Sequence, residues 1–451
     1  MVTYIRFILS ISALLFGSVA LAATELNLMS SFIGYSFIDL RSGKVLAEKN
    51  TDKLFIPAST QKMFTALAAE TVLGMNYDIS NDLSYSGKIK AGVLYGDIVI
   101  TFRGNPFFTK VDIQDMVMST KAYGINQIKG KIIIDDSYLD SIKYPHGWSI
   151  ENKHSAFMAP ISAISINKNS EYVVTKKLGG KANLDYDQRA ISVNSKLDFG
   201  KCEKEDFELY GDDNNHYKLF GCHKNDEELP HLKIAIQNPH GYAAKLLELA
   251  FKNAAVKHEG IVFRGNNNPV QLIKSYTSPK LRRMLQEVMV NSNNHIAEIL
   301  TKTMGRYRYD SGSWKAGTKV IGEALVATGL RDCDNYFYDG SGLSKKNLVS
   351  PACFVKLLRL LDKKNSELIS TMPKANQGTL NNRFMSLPSG YEVRVKSGVL
   401  SGVSALVGYI EYNKKRVVAF AMITNNFPEE LTKDVKHAEE KLIIEVINKL
   451  S

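Results

Sequence analysis

The sequence predicts an α/β (α+β) protein: one antiparallel sheet, built from both chain ends and covered by helices, interrupted by a large β-rich insertion. Three observations predict it. The chain opens with a hairpin signal and a buried helix, closes with three strand-like runs and a helix, and carries mainly strand signals from residue 83 to 265. Its 451 residues suit about three domain-sized units. With 44% apolar and 23% charged residues it can bury sizeable cores, which excludes disordered, collagen-like and disulfide-rich miniprotein classes.

The opening hairpin is read from the aromatic and aliphatic run Phe32 to Leu40, the turn-like Arg41-Ser42-Gly43-Lys44, and Val45-Leu46. After Pro57, the residues Met63, Phe64, Leu67, Ala68 and Val72 recur at helical spacing and stop at Gly74. They occupy nearly every side of the helix, so it should be buried. The β-rich stretch includes Asp97 to Thr101 and Lys131 to Ile134, with helices expected near Ile113 to Tyr123 and Tyr242 to Ala255. Lys176 to Asp213 is polar and turn-rich and is expected to project outward, as part of an outer region at about 170–230.

Helical runs then cover Pro279 to Val290, Asn294 to Met304, Trp314 to Thr328 and Pro351 to Leu361. Strands follow at Glu392 to Lys396, Ser404 to Tyr412 and Arg416 to Thr424, the last two joined by a turn at Asn413-Lys414-Lys415. The terminal helix carries Val435, Ala438, Leu442, Ile443, Val446, Ile447 and Leu450 on one stripe. That stripe reads as a helix docked on a sheet; the competing reading, a helix lying on a membrane surface, implies peripheral contact at most. The expected division is 23–82 with 266–451 as one unit and 83–265 as the insertion.

Arg6, the apolar run Phe7 to Phe16 and the small-x-small Ala20-Leu21-Ala22 form a secretory signal over residues 1–22, cleaved ahead of Ala23. The run is short for a ~20-residue spanning helix. Export places the four cysteines in an oxidising compartment. Four cysteines admit three pairings. Cys202 and Cys222, like Cys333 and Cys353, are 20 apart, and local pairing is expected. The 57 basic residues against 46 acidic ones give +11, but they are scattered and lie near acids, as in Lys224-Asn225-Asp226-Glu227-Glu228. A nucleic-acid partner would call for a concentrated stripe, so none is expected.

The chain has no His-Glu-x-x-His, no Gly-x-Gly-x-x-Gly and no Walker A segment, and Asp332-Cys333-Asp334 lacks the glycine of a calcium loop. No metal and no cofactor are expected. What remains is Ser59-Thr60-Gln61-Lys62 at the start of the buried helix. Residues three apart on a helix are neighbours, so Lys62 reaches the Ser59 hydroxyl without tertiary help. Serine needs an adjacent base. Lysine, with a pKa of about 10.4, serves only if burial or nearby cations lower it by several units. The helix N-terminus also offers unpaired N–H groups for an oxyanion. Alone, Ser-x-x-Lys occurs by chance in many chains and reads first as a helix cap followed by a surface lysine. Ser292-Asn293-Asn294, at a break between helical runs, and Lys396-Ser397-Gly398, on a strand ahead of the final hairpin, change that weight.

In this order, on helix, loop and strand, the three segments match the signature of penicillin-interacting serine enzymes. The sequence resembles the penicillin-binding protein 4 family, the low-molecular-mass class C D-alanyl-D-alanine carboxypeptidase/endopeptidases. The likeness extends to Asp339-Gly340-Ser341-Gly342-Leu343-Ser344, Gly96-Asp97, Gly104-Asn105-Pro106, Gly147-Trp148, Ala159-Pro160 and the spaced cysteines. It implies a penicillin-recognising serine-transferase domain in the periplasm, acting on peptidoglycan stem peptides and blocked by β-lactams. It further implies Ser59 as acyl-enzyme nucleophile, Lys62 as base, and Ser292 with Lys396 as proton relay. Asn294 would hold the substrate backbone and Ser397 the terminal carboxylate. The N–H groups of Ser59 and Val399, the latter following Gly398, would form the oxyanion hole. Asp135, at the end of the Ile132–Ile134 run, is expected to meet the free amine of the diamino acid. Two departures stand out: Ser397 where the family more often has Thr, and Asn293 where Asp is commoner.

Two other functions share this scaffold. A class A-like β-lactamase is shorter, lacks a large insertion and needs a deacylating glutamate in a separate loop. An inactive penicillin-binding sensor would lack some of the hydroxyl and amine groups that are all present here.

Overall fold

The structure, a computed structural model, describes residues 31–450 apart from 179–180, 189, 200–201, 203–205, 224–230, 264 and 266–269. The expected signal segment 1–22 lies outside the described residues. Among these residues no helix is long and apolar enough to cross a membrane.

Strands β1 (Phe32–Asp39) and β2 (Val45–Lys49) form the opening hairpin, and helix α1 (Lys62–Val72) follows. Every residue of α1 from Lys62 to Ala69 is buried, as the all-round apolar pattern requires. The middle of the chain contributes β3 (Ser80–Tyr85), β4 (Ile98–Thr101), α2 (Lys110–Ala122), β5 (Ile132–Asp135), α3 (Pro239–Asn253), β6 (Ile261–Phe263) and β7 (Gln271–Thr277). Next come α4 (Leu281–Val290), α5 (Asn294–Tyr309), α6 (Trp314–Thr328) and α7 (Pro351–Lys363). The chain ends with β8 (Tyr391–Leu400), β9 (Val403–Tyr412), β10 (Lys415–Asn425) and α8 (Thr432–Asn448).

The two chain ends make one antiparallel sheet in the order β8-β9-β10-β1-β2. Alternation along its strands supplies two cores, because successive side chains point to opposite faces. Val393, Leu406, Ile410, Val418, Phe420 and Met422 lie on one face, under Leu442, Ile443, Val446 and Ile447 of α8. Ala405, Val407, Tyr409, Ala419, Ala421 and Ile423 lie on the other, in the core shared with Phe64 of α1 and Phe354 of α7. The terminal stripe is therefore a sheet cover, the first of its two sequence readings.

A second sheet, order β6-β5-β4-β3-β7, organises the insertion, with β5 parallel to both of its neighbours. No strand was expected at Gln271–Thr277, just beyond the expected insertion; there β7 pairs with β3, Tyr276 opposite Asn81. Most of its side chains are exposed, as on an edge strand, so no apolar pattern announced it. Between Ser170 and His223 the structure has strands rather than bare turns: Ser170–Leu178, Lys181–Asp185, Ser192–Phe199, Asp206–Gly211 and His216–His223. They belong to two three-stranded sheets whose polar sequences hid their period.

Both disulfides pair locally. Cys202 joins Cys222 and Cys333 joins Cys353, with Cα–Cα distances of 5.7 and 5.1 Å.

Candidate active site

Ser59 does not open the α-helix itself. It sits in a 3₁₀ turn, Ala58–Gln61, that runs into α1 at Lys62. Residues i and i+3 eclipse in a 3₁₀ turn, which brings Lys62 directly beneath Ser59. The Lys62 Nζ donates to Ser59 Oγ at 2.8 Å, to Asn294 Oδ1 at 2.7 Å and to the Ser341 carbonyl at 2.7 Å. Ala58, just ahead of the nucleophile, has φ +47°, a strained value for a residue with a side chain. Burial pushes Lys62 down to about 7, against the opposing pull of Asp339 and Glu298. A lysine so placed is a base near neutral pH.

Strand β8 closes the other wall. Lys396 is fully buried, and its Nζ donates to Ser292 Oγ at 2.9 Å and to the Ser397 carbonyl at 2.8 Å. Burial holds it well below the ordinary lysine value, and the charge on Lys62 adds to that. Gly398 lies against the nucleophile turn: a Cβ there would sit 2.8 Å from Ser59 N and 3.0 Å from Pro57 O and Thr60 N. Val399 follows, 43% exposed, at the open side of the strand. The Ser397 hydroxyl pairs with Thr379 Oγ1 at 2.7 Å.

Ser292 has φ +53° at the break between α4 and α5. Asn293 caps α5, its Oδ1 accepting from Ile296 N–H at 3.0 Å, a task aspartate performs equally well. Asn294 is held from both sides, since its Nδ2 donates to the Phe157 carbonyl of the insertion at 2.8 Å.

Two hydrogen-bonded groups result, Ser59 and Asn294 around the Lys62 amine and Ser292 and Ser397 around the Lys396 amine, and Gly398 packs the second against the first. Asp135 is not one of the groups in those bonds. It ends β5 in the other sheet, 9% exposed, with Oδ1 accepting from Ser137 N–H at 3.0 Å and Ser137 Oγ at 2.7 Å. Its Oδ1 thereby organises the turn that follows the strand.

Sequence reasoning missed three contributors. Thr379 lies 18 residues before its partner, with no motif around it. Asp339 was noted only as part of a family segment. It is fully buried and accepts from Trp148 Nε1, Gly342 N–H, Ser344 N–H and Asn347 Nδ2 at 2.7–2.9 Å. Glu298 lies one turn beyond Asn294, and only its place in a helix, a charge among apolar neighbours, could have flagged it.

The family model of the D-Ala-D-Ala carboxypeptidase 3 (S13) peptidases matches residues 15–446. The chain belongs to this family. Among curated S13-like relatives, it is 28% identical over 411 residues to the D-alanyl-D-alanine carboxypeptidase DacB of Haemophilus influenzae, covering 88% of this chain and 86% of that one. It is 27% identical over 421 residues to a D-alanyl-D-alanine carboxypeptidase of an Actinomadura species, covering 87% and 77%. The solved structure of penicillin binding protein 4 from Haemophilus influenzae superposes with a TM-score of 0.82 at 26% identity, covering 93% of this chain and 96% of that one. The same relative has also been solved in complex with a β-lactam, TM-score 0.78. A peptidoglycan endopeptidase from Bdellovibrio bacteriovorus shares the fold, TM-score 0.52 at 16% identity. The S13 assignment makes this chain a serine-type D-Ala-D-Ala carboxypeptidase with the mixed α/β fold of its relatives.

Proposed function

We propose that the protein is exported to the periplasm. There it hydrolyses the terminal D-Ala-D-Ala bond of peptidoglycan stem peptides, the D-Ala-diaminopimelate crosslink, or both, through an acyl-enzyme on Ser59. Lys62 takes the hydroxyl proton as Ser59 Oγ adds to the carbonyl carbon. The N–H groups of Ser59 and Val399 hold the developing oxyanion. The C–N bond then breaks, and the leaving amine takes a proton relayed from Lys396 through Ser292. Asn294 holds the donor backbone, and Ser397, with Thr379 beside it, holds the leaving carboxylate. Water adds to the ester, returns the proton to the lysine pair and frees Ser59. A β-lactam follows the same first step, but its amine stays tethered and the ester persists. The assignment treats residues 23–82 and 266–451 as the peptidase unit and 83–265 as an insertion, whose sheet β7 extends from just beyond that boundary.

The observation that carries this reading is the Lys62 Nζ, fully buried and 2.8 Å from Ser59 Oγ. Intact-mass spectrometry with benzylpenicillin tests it. A long-lived adduct on Ser59, absent in Ser59→Ala, is expected, with release of D-Ala from muropeptides in parallel. Rapid turnover of penicillin would instead mark a β-lactamase, and the absence of any adduct an inactive sensor.

A further inference from the structure

Of the three acceptors around Lys62, the Ser341 carbonyl is held in place by a carboxylate that belongs to none of the motifs. Glu298 follows Asn294 by one turn of α5, so the two side chains leave the same face of the helix. Asn294 meets Lys62 directly. Glu298 instead grips the backbone that bears the third acceptor: its Oε1 accepts from Ser341 N–H at 2.7 Å. Both oxygens accept from Gly340 N–H, at 3.2 and 3.0 Å, and Oε2 accepts from Trp314 Nε1 at 2.7 Å. Glu298 is fully buried, and these three N–H groups supply the bonds an ionised carboxylate needs. The gripped backbone has no room to move, because a Cβ at Gly340 would strike Thr301 Oγ1 and one at Gly342 the Ala58 carbonyl.

We propose that Glu298 is a positioning residue for Lys62, aiming the Ser341 carbonyl at its amine and fixing a negative charge nearby. The proposal rests on the reading of Lys62 as the base. Lys62 is faced by Lys396 from β8, by Asp339 from its own loop and by Glu298 from α5. Burial lowers it to about 7, and Asp339 and Glu298 resist that drop. Glu298 is itself held up to about 7 by burial and by the charge of Asp339. Its charge is therefore in place above that pH and fades below it.

The two contributions separate in a pH profile. Lys62 works as a neutral amine, so acylation rises with pH through its pKa. Losing the charge of Glu298 moves that rise to lower pH. Losing the aim lowers the plateau and leaves the midpoint where it was.

The test is stopped-flow acylation of the mature protein by a fluorescent penicillin, followed across the pH range around 7, where Lys62 titrates. Glu298→Gln forces an amide N–H to face another N–H, and the plateau should fall about a hundredfold, as for a misplaced catalytic group. Adding Trp314→Phe removes the closer of the two N–H groups at that position and leaves Gly340 N–H to bond the amide oxygen. The double variant should regain about tenfold, the worth of one buried hydrogen bond, and its midpoint should lie about one pH unit below wild type. Glu298→Asp keeps the charge but draws it back, so the plateau should fall with the midpoint unmoved. Should Glu298→Gln not fold, the other two variants carry the test. A double variant with the wild-type midpoint, or Glu298→Asp with the wild-type plateau, overturns the proposal. If wild type itself forms no adduct on Ser59, the proposed function fails instead, whatever Glu298 does.

Discussion

A serine hydroxyl and an ordinary lysine ammonium cannot react together at neutral pH, because neither has given up its proton. The site resolves this by burying Lys62 completely and leaving it only neutral acceptors at hydrogen-bond distance. Acylation should therefore rise with pH and reach half its maximum near 7, since Lys62 must be neutral to take the proton. A rate independent of pH in this range would place the base elsewhere. Lys62→Ala should lose about a hundredfold or more in acylation rate. Gly398 makes a second prediction. A methyl there would press on the backbone of Ser59, Pro57 and Thr60, atoms that cannot turn aside as a side chain does. Gly398→Ala should thus cut penicillin labelling severely while thermal denaturation shows a folded protein; labelling at the wild-type rate would mean that β8 has slack against the nucleophile turn.

At the scale of elements, most of the groups proposed for catalysis sit where regular structure is interrupted. Ser59 lies in the 3₁₀ turn ahead of α1, Ser292 in the left-handed link between α4 and α5, and only Lys396 and Ser397 within a regular strand. The long, strongly patterned elements were legible in the sequence: α1, α6 and the β9–β10 hairpin fall where periodicity put them. Edge strands such as β7 were not, because an exposed strand needs no apolar alternation. The disulfide from Cys333 to Cys353 anchors the start of α7, and neither cysteine takes part in the hydrogen bonds around Lys62 and Lys396. In the chain-entropy model its 20-residue loop contributes about 3 kcal/mol. Replacing both cysteines with alanine should lower stability by about that amount in urea denaturation and leave acylation near wild type. Equal stability would mean the bond adds nothing beyond packing, and peptide mapping that joined Cys202 to Cys333 would refute the pairing.

For the whole molecule, the segment proposed as an insertion also braces the candidate site. Two of the three acceptors of Lys62 are backed by it. Asn294 is held by the Phe157 carbonyl, and the loop bearing Ser341 is clamped by Trp148 Nε1 on Asp339 and by Ser344 Oγ on the His146 carbonyl. Gly147 fits this clamp, since a Cβ there would collide with Ser344 Oγ. Trp148→Phe keeps the ring and removes one donor from a buried carboxylate. It should slow acylation about tenfold, the value of one such hydrogen bond, with the far-ultraviolet circular dichroism spectrum unchanged. An unchanged rate would mean the insertion touches the loop without holding it.

What the sequence by itself determined were the interactions set by local spacing. Lys62 three residues after Ser59, the Ser-x-Asn break, and the Lys-Ser-Gly strand each need only a turn of helix or a strand to present their groups. Their order along the chain named the family before any contact was known. Only the tertiary structure decided which groups meet across distance. Ser341, 279 residues beyond Lys62, meets it through its carbonyl, and Glu298 grips the same loop from α5. It also showed Asp135 Oδ1 bonded to the Ser137 turn at the end of a buried strand, a contact its place in the sequence did not announce. The physical reason is common to these cases. Periodicity encodes which face of an element is apolar, but a buried charge is placed by the partners that satisfy it, and those come from elsewhere in the chain.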